Sequence, residues 1–167
     1  MSIPLSAHFD LGELTVTRQR GTDGKLLDNQ PDAQSLHYLR ALAVNILEPI
    51  RELWGCPVTV TSGFRSHDVE LKVSGKDWGQ HRRGQAADII GPRGFDIVKG
   101  YEAVWQSSIP YDQLLLERAG DATWIHVSIS PDGDSPRRQA YYSPDNGHSW
   151  AVYWPGATKD QPTERIA

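Results

Sequence analysis

The longest stretch of this chain with the pattern of a helix lies in the first third. Across residues 32–54 the run DAQSLHYLRALAVNILEPIRELW places Leu36, Leu39, Ala43, Ile46, Leu47 and Ile50 at steps of three and four residues, the apolar stripe of an amphipathic helix. Asp32 or Ser35 can cap its start, and Gly55 followed by Pro57 ends it. Pro49 is expected to kink it or divide it in two. Beyond it, glycine and proline are spread through the chain and favour short strands and turns. Residues 58–61 alternate β-branched side chains and read as a strand, followed by a polar loop as far as His81. Residues 85–90 read as a second strand and 95–107 as a second helix, with Ile97, Val98, Tyr101, Val104 and Trp105 at helical spacing. Residues 111–117 and 124–130 make a hairpin through a turn at 118–123, and residues 138–142 and 149–154 flank a further turn signal, Pro144-Asp145-Asn146-Gly147. The expectation is an α+β fold, with N-terminal helices packed on a small, largely antiparallel sheet.

At 167 residues the chain is the size of one domain, which can bury roughly two thirds of its unfolded surface without disulfides. We place the domain at residues 1–155, with a polar tail at 156–167 that has the composition of a disordered end. No run approaches the roughly 18 apolar residues of a membrane span, and a net charge of −4 offers no field for nucleic acid, so neither partner is expected. Nor is a partner chain needed for stability, and a monomer is expected. The opening MSIPLSAHFDLGE has no basic and apolar segments of a secretory signal, so synthesis in the cytoplasm without one is expected. The single cysteine, Cys56, has no general base beside it in sequence and reads as a buried thiol.

Two titratable residues stand where apolar ones belong. Asp88 lies inside Ala-Ala-Asp-Ile-Ile, and an isolated buried carboxylate is costly unless a cation or donor meets it. His126 occupies the centre of Trp-Ile-His-Val-Ser, on the strand face shared with Trp124 and Ser128. With His81 they make two imidazoles and one carboxylate, three protein ligands that leave the fourth tetrahedral position open, the arrangement of a hydrolytic rather than a structural zinc. Taken one at a time, His81 also reads as a surface loop residue and His126 as a core histidine bonded to backbone.

The residues around these positions resemble a known family. His81-Arg82-Arg83-Gly84-Gln85-Ala86-Ala87-Asp88 and Trp124-Ile125-His126 are similar to the signature His-x-x-Gly-x-Ala-x-Asp and Trp-x-His of the M15 peptidases, the zinc D-Ala-D-Ala carboxypeptidases and L-Ala-D-Glu endopeptidases. Leu5-Ser6-Ala7-His8-Phe9 with Glu13-Leu14, Ser62-Gly63-Phe64-Arg65-Ser66 and Tyr111-Asp112-Gln113-Leu114 match further motifs, in the manner of the compact branch found in phage and prophage proteins.

The resemblance implies one zinc ion held by His81, Asp88 and His126, and a peptidase acting on the stem peptides of peptidoglycan. It also implies Arg65 at the active site, on a substrate carboxylate or the developing oxyanion, and Gln80 in contact with substrate. Many members carry an acid three residues before the last histidine, where this chain has Thr123. Glu117 matches the general base of the compact branch, and across a hairpin it can lie opposite Trp124 to His126. Asp121 is the reserve candidate. Trp124 and Trp78 flank ligands and could wall a cleft. A phage lysin reaching the wall through a holin or as a virion part is the expected setting. The alternative is a zinc-binding module that keeps the ligands and lacks hydrolysis, an alternative that Thr123 keeps open.

Overall fold

The structure, a computed structural model, describes residues 3–152. A single turn of helix, α1 (Leu11–Leu14), precedes the expected amphipathic stretch. That stretch is divided as its proline requires. Helix α2 (Ala33–Leu42) is capped by Asp32, whose carboxylate accepts the Ser35 N–H at 2.7 Å. One π-helical turn, Ala43–Leu47, joins it to α3 (Glu48–Trp54). Pro49 has no N–H for the carbonyl four residues back, and the widened turn, in which the Glu48 N–H reaches the Ala43 carbonyl, accommodates it.

Strand β1 (Thr59–Ser62) leads to α4 (His67–Ser74), a 3-10 turn at His81–Arg83, strand β2 (Ala86–Ile90) and helix α5 (Ile97–Gln106). Strands β3 (Gln113–Ala119), β4 (Ala122–Ser128), β5 (Gln139–Ser143) and β6 (Ala151–Val152) complete one six-stranded sheet in the order β1-β2-β4-β3-β5-β6. Its pairs are antiparallel except β3 with β5. The fold is α+β, helices on a mostly antiparallel sheet, as the sequence leads one to expect. No helix among the described residues is long and apolar enough to cross a membrane.

Several details differ from the sequence expectation. The polar segment before His81 contains α4, which buries only Val69 and Glu70 and so shows almost no apolar period. The β3–β4 turn is two residues, Gly120 and Asp121, because Arg118 pairs with Thr123 and Ala119 with Ala122. Cys56 is half-buried rather than buried. The polar tail, the domain limit at 155 and the aromatic residues Tyr153 and Trp154 lie outside the described residues.

One sheet face makes the core. Ala87, Ile89, Leu114, Leu116, Ile125 and Val127 pack with Leu39, Leu42, Ile46, Leu47 and Ile50 of the divided helix and with Tyr101 and Val104 of α5. Side chains alternate along a strand, so the residues between these, Asp88, Leu115, Glu117, Trp124 and His126, share the other face. A one-residue slip of β2 would trade Ile89 for Asp88 against the helices, and burying one such side chain is worth roughly 1.5–3 kcal/mol. Core burial therefore sets the register that brings the polar residues together.

Candidate metal centre

Register pairs Asp88 directly with His126, on neighbouring strands β2 and β4. His81 reaches the same point from the 3-10 turn that precedes β2. All three are buried, 7–8% exposed. His81 Nε2, His126 Nδ1 and Asp88 Oδ1 form a nearly equilateral triangle: 3.1 Å between the nitrogens, 3.2 Å from His81 to Asp88 and 3.1 Å from His126 to Asp88. A tetrahedral zinc with bonds of about 2.0–2.1 Å has ligand-to-ligand edges of about 3.3–3.4 Å, close to the edges found here.

The outer atoms of the two rings decide what faces inward. His81 Nδ1 lies 2.7 Å from the Gly63 carbonyl, which only accepts, so the proton sits on Nδ1 and the Nε2 lone pair points into the triangle. His126 turns its Nε2 outward to Gln80 Oε1 at 3.2 Å, leaving Nδ1 inward. With neutral rings, three electron pairs converge on one buried point, which is stable only around a cation. No other group of three His, Cys, Asp or Glu ligand atoms gathers in this way among the described residues. Burial pushes the Asp88 carboxyl up, but the two imidazoles beside it, His81 foremost, outweigh burial and hold Asp88 far below the usual carboxylate range. Asp88 is thus ionised and able to serve as a ligand.

Arg65 controls the second oxygen of that ligand. Its Nη2 donates to Asp88 Oδ2 at 2.8 Å, its Nε to Ser62 Oγ at 2.9 Å, and its Nη1 lies 3.5 Å from Glu70 Oε2. Oδ2 is thereby occupied, and Oδ1 alone is turned to the triangle. Buried Asn29 secures the segment that carries Arg65, giving its amide to the Thr15 and Phe64 carbonyls at 2.7 and 2.9 Å and accepting the Ser66 N–H at 2.7 Å. Glu117 stands opposite Trp124 on the same face, one diagonal step from His126, about 7–8 Å between backbones and within reach of its side chain. Burial pushes its carboxyl above the ordinary value.

A family model described as Peptidase M15 matches residues 7–128. The chain belongs to the M15 peptidase family. No curated protein matches it. The match spans α1 to the end of β4 and so contains the whole triangle together with Arg65, Gln80 and Glu117. With a buried His-Asp-His group able to hold a metal, the protein is a metallopeptidase.

In this M15 peptidase the two alternative acid positions are separated by the strand itself. Thr123 is three residues from His126 on a regular strand, so it lies on the opposite face, and an acid there would point away from the triangle. Asp121 is exposed in the turn, five residues from His126, about 17 Å along the strand at 3.4 Å per residue. Of the sequence candidates, Glu117 is the acid placed on the face of the ligands.

Trp124 is half-buried beside Glu117, whereas Trp78 is 62% exposed with Lys76 Nζ 4.9 Å from its ring centre. Gln80 faces inward, its amide spanning His126 and Asp112. Sequence inspection passed over Glu70, Asn29 and the side-chain role of Asp112. Glu70 is a charged position on a short polar helix, Asn29 lies between Asp28 and Gln30, and Asp112 stands within a motif, so none carries a signal of its partner.

Proposed function

We propose that this M15 peptidase hydrolyses an amide bond in peptidoglycan stem peptides, as a D-Ala-D-Ala carboxypeptidase or an L-Ala-D-Glu endopeptidase, and serves as a phage or prophage lysin acting at the cell wall. The observation that carries the reaction is the gathering of three inward lone pairs over one sheet face with a half-buried acid of raised pKa, Glu117, one diagonal step from His126. One zinc ion fits the His81, Asp88 and His126 donor set, and when bound it supplies a Lewis acid for the scissile carbonyl and lowers the pKa of the attacking water.

Glu117 takes a proton from that water and returns it to the leaving amine, a task suited to a carboxyl whose pKa is raised toward the working pH. Arg65 holds Asp88 in place, and the other N–H of Nη1 or Nη2 meets the oxyanion or a substrate carboxylate. Gln80 and Trp124 border the same site, where the scissile peptide lies. The binding-only alternative drew its support from Thr123, and that residue is on the wrong face to have supplied the acid.

The test is mass spectrometry of purified peptidoglycan and of defined stem peptides incubated with the protein, with zinc and with a chelator. Chelator-sensitive loss of terminal D-Ala identifies the carboxypeptidase, and a new D-Glu amino terminus identifies the endopeptidase. Glu117→Gln is expected to cut turnover by about 10²–10⁴-fold with zinc still bound. No cleavage by zinc-loaded protein on any wall type refutes the proposal.

A further inference from the structure

Asp112, 2% exposed at the entrance to β3, is bonded more heavily than the reaction above requires. Its Oδ1 accepts the Ser130 hydroxyl at 3.0 Å and the Arg137 backbone N–H and Nε at 3.2 and 2.9 Å. Its Oδ2 accepts Arg137 Nη2 and, at 2.9 Å, the Gln80 amide. A carboxylate has no proton to give, so the NH₂ end of the Gln80 amide faces Asp112 and the Oε1 end is turned toward His126, 3.2 Å from Nε2. Oε1 in turn only accepts, so it draws the His126 proton to Nε2, against the pull of the Asp88 carboxylate oxygen 3.1 Å from Nδ1, and so favours the lone pair on Nδ1, the corner of the triangle. The chain starts at Arg137, whose Nε, Nη2 and backbone N–H hold the Asp112 carboxylate in place and lower its pKa.

We propose that Arg137, through Asp112 and Gln80, is a positioning residue that sets the tautomer of His126 and thereby the metal affinity of the site. Arg137 lies nine positions beyond the span matched to the M15 family, in the link between β4 and β5. That link makes the site depend on a segment outside the matched span. His81 takes its tautomer from a backbone carbonyl, which no side-chain substitution removes, whereas His126 takes its own from side chains alone. His126 is therefore the ligand open to tuning. The proposal rests on the metal-site reading above.

The test uses the full chain with Arg137→Ala, Arg137→Lys and Gln80→Met. Arg137 is half exposed, so its replacement leaves the core intact. Two quantities are read: zinc affinity, by competition with a chromophoric chelator, and the ¹⁵N imidazole signals of metal-free protein, which report the tautomer of each histidine. Arg137→Ala and Gln80→Met are expected to weaken zinc binding by about 10–100-fold, the usual loss when a ligand's outer hydrogen bond is removed. In both, His126 should become a mixture of tautomers while His81 stays Nδ1-protonated, and Arg137→Lys should recover part of the affinity.

A role in folding alone would lower the melting temperature and leave the His126 signal unchanged. Unaltered zinc affinity together with an unaltered His126 signal in Arg137→Ala and Gln80→Met overturns the proposal. Wild-type protein that binds no zinc overturns the metal-site reading instead, and the imidazole signals still decide the relay.

Discussion

Gly84→Ala would show how tightly the ligand loop is built against the helices. Gly84 follows His81–Arg83 with φ +74°, and a Cβ there would stand 2.4 Å from the Ser35 carbonyl oxygen, 3.1 Å from its carbon and 3.2 Å from Leu39 Cγ. The left-handed conformation alone costs an alanine about 1–2 kcal/mol. The Ser35 oxygen belongs to the backbone of α2 and would have to retreat by about 1 Å to reach ordinary contact, an overpacking that costs about 1–3 kcal/mol more. Gly94 provides the control, because it has φ +85° and nothing within 4 Å of its Cβ, so Gly94→Ala carries the conformational cost and no clash.

The difference between the two variants is thus about 1–3 kcal/mol, or about 2–12 °C in melting temperature at 2–4 °C per kcal/mol for a domain of this size. Gly84 also donates its N–H to the His81 carbonyl at 3.1 Å, so a shift there moves one corner of the His81, Asp88 and His126 triangle. Zinc affinity should fall in Gly84→Ala and hold in Gly94→Ala. The assay is a thermal melt of each zinc-loaded protein together with a chelator competition. Equal losses of stability in both variants would refute the claim that the loop is packed on the helix backbone at this point.

Two further outcomes follow from Glu117 and its strand. Because burial raises its pKa, kcat/KM should rise with pH through a step above the ordinary glutamate value of 4.5, which a pH-rate profile measures. An acid whose folded pKa is raised costs stability once the pH exceeds its unfolded value. Zinc-free Glu117→Gln should therefore be at least as stable as wild type at pH 7, with the advantage vanishing below about pH 4.5, as melts across that range would show. Adding Thr123→Glu to Glu117→Gln should not restore turnover, since that side chain projects from the helix-packed face; restored activity would mean that β4 is not regular there.

How much was legible beforehand depended on the distance over which each signal acts. The divided helix, its Asp32 cap and the hairpin that faces Glu117 toward the ligands arise from neighbours within a few residues, and each leaves a pattern in the chain. Helix α4 left none, because it rests on a single buried apolar side chain and on Glu70, whose partner Arg65 gives no sign of the pairing in sequence. The parallel placement of β5 beside β3 was equally silent. Pairing of strands so connected is decided by where the intervening link packs, which alternation of side chains does not report.

The sequence by itself determined which groups the site contains. An aspartate and a histidine inside apolar strands must find partners, and the period of two along each strand put both on the face away from the core. Only the tertiary structure decided how those groups are held. Whether Arg65 meets substrate or Asp88, whether Gln80 turns outward or toward His126, and whether an acid at 123 could serve are matters of hydrogen-bond direction between distant segments. Such directions are fixed when the helices seal one face of the sheet and set the strand register, because a bond of about 3 Å is made or lost with a shift far smaller than any spacing in the chain.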